Sequence, residues 1–182
     1  MNAIELLLTR QSDPKLTEPA PNSEQLAIIQ QAALRVPDHG CLAPWQFIIV
    51  QGDARHTLGE IYHQSAVTEQ QAEKAINRAK ELPLRAPMII IAIAKYQDHL
   101  KVPRIEQVQS AGCSVLAMQQ AAFAQGLGGV WRTGYFAQSP AVKAALNLCE
   151  HDEIVGYLYL GTPVVNCKKS PRHKPETYFS YL

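Results

Sequence analysis

The stretch IEQVQSAGCSVLAMQQAAFAQ (residues 105–125), followed at once by GLGGVWRTG (126–134), decides which folds this sequence can adopt. Pro103 precedes the first segment and Gly126 ends it, as is typical of a helix. Small residues occupy nearly every face of this helix: Ala111, Gly112, Ser114, Ala117, Ala121, Ala122 and Ala124. Such a helix is expected to be buried, with other backbones approaching closely. The sequence therefore predicts a helix at the domain centre or at a subunit interface.

Three segments are predicted to be β-strands: 46–50, 87–94 and 154–160. The second, PMIIIAIA, is nearly continuous in apolar residues, which indicates a strand that is buried on both faces. A short further strand is possible at 130–133 inside the glycine-rich segment.

Further helices are expected before and between these strands. One covers residues 3–9, and a second covers 24–35, with Ser23 as its N-cap and Pro37 ending it. Residues 53–82 have a helical composition. The resulting order of helices and strands indicates an α+β or α/β layered architecture.

Composition limits the class of protein. The 182 residues are 47% hydrophobic and 18% charged, which suits a single globular domain spanning 1–182. Lys plus Arg is 17 and Asp plus Glu is 16, so no charge excess favours nucleic acid or an anionic membrane as partner. The apolar run 88–94 is too short to span a bilayer, and the N-terminus lacks a signal-peptide pattern, so we expect a cytoplasmic protein. The cysteines and histidines show no metal-ligand spacing, and no metal is expected.

Three polar segments are candidates for chemistry. Arg10, Gln11 and Ser12 offer a cation and hydroxyl suited to a phosphate, although an Arg and Ser at a helix end are more often capping or solvated residues. The loop 35–47 contains Arg35 and His39 and enters a strand directly, where sites tend to lie; a surface histidine is the plainer interpretation.

The third segment, GLGGVWRTG, lets the backbone approach a flat ligand, or else it is simply a glycine-rich turn. It is neither a Walker loop nor a Rossmann fingerprint. No Ser-His-Asp or Cys-His pattern can be recognised, so the chemistry is expected to come from a bound cofactor.

Taken together, the sequence resembles the FMN-dependent nitroreductase family, in particular its short bacterial NAD(P)H nitroreductase branch. The resemblance is carried by RQS at 10–12, RVPDHGCLAPWQFIIV at 35–50, GLGGVWRTG at 126–134 and GYLYLGTP at 156–163. It implies an α+β fold with a central, mainly antiparallel sheet flanked by helices. It also implies an intertwined homodimer with FMN at the subunit interface.

The resemblance also implies roles for residues. The FMN contacts would be Arg10, Gln11, Ser12, Arg35, His39, Trp131, Arg132 and Thr133. Arg10 and Ser12 would hold the phosphate, and Arg35 and His39 would reach the FMN of the other subunit. The NADH or NADPH contacts would be Ala121, Ala122, Phe123, Ala124, Gln125 and Gly126. Arg172 or Lys174 is a further candidate for the phosphate.

The implied activity is ping-pong reduction of nitroaromatic, quinone or similar electron-poor substrates through flavin N5, without a catalytic side chain. The alternatives are a relative with other flavin chemistry (enone reduction, dehalogenation or flavin breakdown) and a non-catalytic flavin-binding protein.

Overall fold

A central antiparallel sheet with helices on both faces forms the body of the computed structural model, which describes residues 1–165 and 173–182. The helices are α1 (Ala3–Thr9), α2 (Ser23–Ala33), α3 (Ala54–Thr68), α4 (Glu73–Ala79), α5 (Arg104–Ala124), α6 (Tyr135–Gln138) and α7 (Pro140–Ala145). The strands are β1 (Leu16–Thr17), β2 (Trp45–Gln51), β3 (Met88–Ala94), β4 (Gly128–Arg132) and β5 (Glu153–Pro163). Across this described part of the chain, no helix has the length and apolar character needed to cross a membrane.

Every strand pairing in the sheet is antiparallel. The order is β1-β5-β3-β2, and β4 pairs with β5 beside β1. The predicted α+β fold with a mainly antiparallel sheet and flanking helices is thereby confirmed. The central strand β3 is buried at all of its positions, as its continuous apolar run predicts.

The two faces of the sheet pack against different helices. Side chains alternate along β3, so Ile89, Ile91 and Ile93 join the core formed with α3, α6 and α7. Met88, Ile90 and Ala92 join the second core, formed with α2 and α5. Residues next to each other on a strand therefore face different layers, which decides where site residues point.

One predicted helix start differs by a residue. Asn22, and not Ser23, caps α2: its side chain accepts from the Gln25 N–H at 2.9 Å, and the Gln25 side chain accepts from the Asn22 N–H at 3.0 Å. This reciprocal capping box satisfies two backbone donors, whereas a Ser23 cap would satisfy one.

Helix α5 is buried on one side only within a single chain. Ala111, Val115 and Ala122 are fully buried, and the Ser114 hydroxyl donates to the Ala33 carbonyl at 2.8 Å. On the other side Ile105 is 60% exposed and Leu116 is 40% exposed. Within one chain α5 is therefore covered on one side, and burial of its outer apolar stripe at a subunit interface stays a prediction.

An ion pair fixes the neighbouring ends of β3 and β5. The Lys95 ammonium contacts the buried carboxylate of Asp152, which also accepts from the Cys149 N–H at 2.8 Å. The carboxylate is therefore compensated by a cation and a backbone donor, as a buried charge requires.

Candidate functional site

Among the residues that the structure describes, strand β4 has a pairing strand on one edge only. Its inner edge pairs with β5, while on the outer edge the Gly129 carbonyl accepts from the Asp13 N–H at 3.0 Å and from the Gln119 side chain at 2.8 Å. Backbone groups in an antiparallel strand alternate between the two edges. The N–H and C=O of Trp131 and Thr133 are therefore directed to the same outer edge as those of Gly129.

The segment Arg10–Ser12 lies at the start of this edge. Arg10 is half-buried and ends α1, with its N–H donating to the Leu6 carbonyl. The Gln119 amide donates to the Ser12 hydroxyl at 3.3 Å, and the Gln11 amide donates to the Asp13 carboxylate at 3.1 Å. The structure therefore brings the first sequence segment and the glycine-rich segment together.

The paired glycines 128 and 129 allow this approach. A Cβ on Gly128 would lie 2.6 Å from the Leu16 side chain and 3.3 Å from Cβ of Asp13. A Cβ on Gly129 would lie 3.2 Å from the Leu160 side chain. These glycines are thus needed for close protein packing, a reason different from the approach of a flat ligand considered from the sequence.

At the other end of β4, the chain turns at Gly134. Its φ of 98° belongs to a region that side-chain-bearing residues rarely adopt, and no atom would crowd a Cβ there. The next residue, Tyr135, donates from its hydroxyl to the Glu69 carboxylate at the end of α3. The turn is thereby tied to the opposite layer.

Glu69 is held as a carboxylate by several donors. It accepts from the Ser139 hydroxyl at 2.7 Å and from the Ala141 N–H at 3.0 Å, in addition to Tyr135. Desolvation works to raise the pKa of Glu69, but these hydrogen bonds outweigh it and lower the pKa below its ordinary value of 4.5. This cluster fixes α6 and α7, and with them the end of the β4 edge.

The Trp131 ring lies over two glycines on the α5 side of the sheet. A Cβ on Gly112 would meet its ring at 3.4 Å, and Gly156 lies directly below its indole nitrogen. That nitrogen donates to the Val155 carbonyl at 3.1 Å, yet the side chain remains 38% exposed. Trp131 therefore presents a fixed aromatic surface to the space beside β4.

A cavity of about 920 Å³ opens beside Trp131. Its walls come from α5, the β4 turn, α7 and β5, including Arg104, Gly112, Leu116, Thr133, Gly134 and Val155. The Arg104 guanidinium is held by Glu153, with Nε donating at 2.9 Å. The volume lies in the range of small-molecule and cofactor sites.

Arg132 points away from this cavity. Its guanidinium lies over the Tyr159 ring, 5.9 Å from the centroid, on the face that packs with α3. Trp131 and Arg132 are adjacent on a strand and so face opposite layers. A ring beside Trp131 would therefore meet the backbone of Arg132, and the predicted FMN contacts of both residues stay a prediction.

The loop with Arg35 and His39 packs against a different part of α5. The Ser110 hydroxyl donates to the Pro37 carbonyl at 2.7 Å, and His39 pairs with Glu106 at 2.6 Å. Neither Arg35 nor His39 lines the cavity beside Trp131. Within one chain they do not meet the other predicted FMN residues.

The stretch 121–126 forms the last turn of α5 and its exit. Ala122 is buried in the core and the Gln125 amide donates to the Gln25 carbonyl at 3.3 Å, while Ala124 and Gly126 are exposed. None of these residues lines the cavity beside Trp131, and a nucleotide contact there stays a prediction. Lys174 is exposed, and Arg172 lies outside the described residues.

Sequence reasoning missed Gln119 and Glu69. Gln119 is 3% exposed and joins Ser12 to Gly129. The glutamine pair 119–120 inside the small, apolar second half of the helix is a signal that could have found it, since buried amides need partners. Glu69 carries no comparable local signal.

Comparison with known proteins agrees with this architecture. The sequence model of the Nitroreductase family matches residues 7–162. YdjA of Escherichia coli (strain K12), named as an NAD(P)H nitroreductase, is 47% identical over 170 residues, which are 93% of each chain. A nitroreductase-like protein of Bacillus cereus superposes with a TM-score of 0.87 at 22% identity, covering 100% of this chain and 96% of that one. A protein of Desulfovibrio desulfuricans, named as a nitroreductase and solved with FMN, has a TM-score of 0.74 at 21% identity, covering 100% and 98%.

The antiparallel sheet, its flanking helices and these superpositions define the nitroreductase-like fold. The extent of the family match and the identity to YdjA then settle the assignment: the chain belongs to the Nitroreductase family and is an oxidoreductase.

Proposed function

We propose that this chain is an FMN-dependent NAD(P)H oxidoreductase that acts in the cytoplasm on nitroaromatic, quinone or similar electron-poor organic molecules. The observation that carries the proposal is the open outer edge of β4. It runs from Ser12 to Thr133, and a cavity of about 920 Å³ lies at its Thr133 end. The name of YdjA and the FMN in the Desulfovibrio desulfuricans relative support the choice of cofactor and donor.

The chemistry of the residues along this edge fits a flavin nucleotide. Arg10 and Ser12 supply a guanidinium and a hydroxyl, the groups that a phosphate requires. Farther along, the backbone groups of Trp131 and Thr133 supply donors and acceptors at strand spacing, which suits the polar edge of a flat heterocycle. Trp131 adds an aromatic wall.

The chain's own residues would bind and orient the cofactor and the substrate, with no side chain acting as acid, base or nucleophile. FMN, when bound, would supply hydride chemistry at N5 for the reduction of an acceptor at the expense of NADH or NADPH. Trp131 and the Gly134 turn, fixed through Tyr135 and Glu69, would hold the wall of the cavity rigid and exclude water from one side. The 121–126 stretch is our candidate for the nucleotide contact.

A second copy of the chain would complete the site. Apolar side chains are exposed on α1 and on the outer stripe of α5: Ile4, Leu7, Leu8, Ile105 and Leu116. Burying such a surface in a homodimer is favourable. The loop carrying Arg35 and His39 lies on α5 next to that stripe, so it would be positioned to contact the partner's flavin.

The first test is spectroscopic. The purified protein is mixed with FMN, desalted and given NADH or NADPH without oxygen. We expect retained absorbance near ~450 nm that bleaches with one or both nucleotides. Subsequent addition of a nitroarene or a quinone should restore the band, and addition of an enone should not. Retained flavin that no nucleotide bleaches would refute the reductase and favour a flavin-binding protein. If the enone alone restores the band, a relative with other flavin chemistry, such as enone reduction, is favoured instead.

Variants locate the phosphate end. Arg10→Gln should weaken FMN binding about 10- to 100-fold, since a charge-assisted hydrogen bond contributes about 1.5–3 kcal/mol. Arg78→Gln changes an exposed arginine on α4 and should bind FMN as the parent does. Equal FMN affinity for both variants would remove Arg10 from the site.

The dimer is tested by light scattering. Leu116→Glu places a charge in the apolar stripe and should yield monomers that retain less FMN. Leu100→Glu alters a loop residue that is 99% exposed and should leave the mass unchanged. A parent protein that is already monomeric would contradict the shared site.

A further inference from the structure

A second cavity lies under β4, on the face opposite the Trp131 ring. Its volume is about 490 Å³. Side chains from α3, the Pro83–Arg85 turn, α6 and β5 form its walls together with the end of β4: Tyr62, Leu82, Arg85, Arg132, Phe136, Tyr157 and Tyr159. It shares Trp131, Thr133 and Gly134 with the first cavity only because both faces of the strand meet at its end.

Two guanidinium groups face this cavity without a counter-charge. The side chains of Arg85 and Arg132 make no hydrogen bond or ion pair with the rest of the described chain, and no wall residue is acidic. The sequence 166–172, NCKKSPR, adds no carboxylate either. No acidic side chain in the described part of the chain therefore compensates the positive charge of this cavity.

A buried donor points to the same conclusion. Arg132 Nε is buried and has no hydrogen-bond partner among the described residues. Buried polar groups normally find partners, and an acceptor entering the cavity would provide one.

The walls between these groups are aromatic. Tyr62 and Phe136 stack with centroids 4.2 Å apart and an interplanar angle of 7°, and Tyr157 meets Tyr62 edge-on at 5.6 Å. The Tyr157 hydroxyl is already used, since it donates to the Phe136 carbonyl at 2.9 Å. Flat aromatic surfaces favour a flat, unsaturated ligand, and the forked guanidinium matches a carboxylate.

We propose that this cavity binds a small aromatic carboxylate, with Arg85 and Arg132 holding the carboxylate. Arg85, which is exposed, stands at the mouth, while the buried Nε of Arg132 lies deeper. The site is separate from the β4 outer edge. It does not depend on the proposed flavin chemistry, because the Arg85 and Arg132 side chains face the α3 layer.

Benzoate is the probe, titrated into the protein as purified, with and without added FMN, by calorimetry. Benzamide, which has the same frame but no charge, should bind at least about tenfold more weakly, because charge-assisted bonds to guanidinium are the strong ones. Arg85→Gln should lower benzoate affinity about tenfold or more. Arg85→Lys, which keeps the charge and loses the fork, should fall between the parent and Arg85→Gln.

Arg78→Gln is the matched control and should bind benzoate as the parent does. FMN retention by Arg85→Gln shows that the variant is folded, and it should equal that of the parent. Benzoate binding that survives Arg85→Gln, or that is absent from the parent, would overturn the assignment. Inorganic phosphate binding more tightly than benzoate with the same Arg85 dependence would overturn the aromatic carboxylate as its ligand. Benzoate binding by a protein that retains no FMN would uphold this site while refuting the proposed function.

Discussion

Gly156 supports the Trp131 ring, and replacing it with alanine should dislodge that ring. The new Cβ would overlap the indole nitrogen and lie 2.6 Å from its Cδ1 and 2.8 Å from the Arg132 carbonyl oxygen. Overpacking of this kind costs about 1–3 kcal/mol, and losing the hydrogen bond from Trp131 to Val155 adds about 1 kcal/mol. We expect a total near 3 kcal/mol, or a fall in melting temperature of roughly 6–12 °C for a domain of this size.

A double-mutant cycle separates the ring from the backbone. With Trp131→Ala already present, the contact with the Arg132 carbonyl oxygen and the backbone strain of the positive φ (153°) remain. Gly156→Ala should then cost about 1–2 kcal/mol less than in the parent. Urea unfolding gives the free energy of unfolding of the parent, the two single variants and the double variant. Gly52→Ala is the control, because Gly52 also has a positive φ (56°) but no atom within 4 Å of an added Cβ.

If Gly156→Ala costs the same in both backgrounds within about 0.5 kcal/mol, the usual limit of additivity, then Gly156 does not support the Trp131 ring. The variant should also retain less FMN, because the displaced indole no longer provides a fixed wall for the proposed site. Full flavin retention alongside the predicted destabilisation would remove Trp131 from that wall.

Three further changes test the framework around the site. Asp152→Asn should destabilise the protein by about 3 kcal/mol, because it leaves the Lys95 ammonium without its buried partner; urea unfolding measures the loss. The pKa of Glu69 is lowered on folding, so its carboxylate stabilises the fold above its ordinary pKa of 4.5, and that contribution disappears as the pH falls through the lowered value. The stability difference between the parent and Glu69→Gln should therefore be largest at neutral pH and shrink on acidification, and a constant difference would contradict the assignment. Asn22→Ala removes the cap of α2 and should cost about 1 kcal/mol, whereas Asn77→Ala, at an exposed position inside α4, should have little effect on the melting temperature.

The spacing of apolar residues along the sequence predicted the main helices and strands, because an element that is buried needs apolar residues at the positions that face the core. The apolar run ending at Ala94 is β3, and the predicted helix 105–125 is α5 shifted by one residue at each end. The N-cap of α2 was harder to predict from the sequence, because Asn22 and Ser23 are both good N-caps. The reciprocal bond to Gln25 decides between them, and it depends on side-chain geometry.

The candidate site was predictable in part. Arg10–Ser12 and the glycine-rich segment do lie together, but the bridge through Gln119 required the three-dimensional arrangement. The direction of Arg132 followed only once β4 had a register with β5, because a shift of one residue exchanges the two faces. Whether α5 is covered on its outer stripe depends on a second chain, which a single sequence does not contain.

The open edge of β4 also bears on how the protein avoids aggregation through its sheet. An unpaired strand edge is a template on which another chain can extend a sheet, and long flat edges lead to aggregates. Here Asp13 already covers Gly129, and the glycine turn at residue 134 bends the chain away after Thr133. In the described part of the chain the backbone groups of Trp131 and Thr133 remain on this edge, which is too short a ladder to hold a foreign strand. The edge is thus long enough to recognise a small molecule and too short to nucleate a fibril.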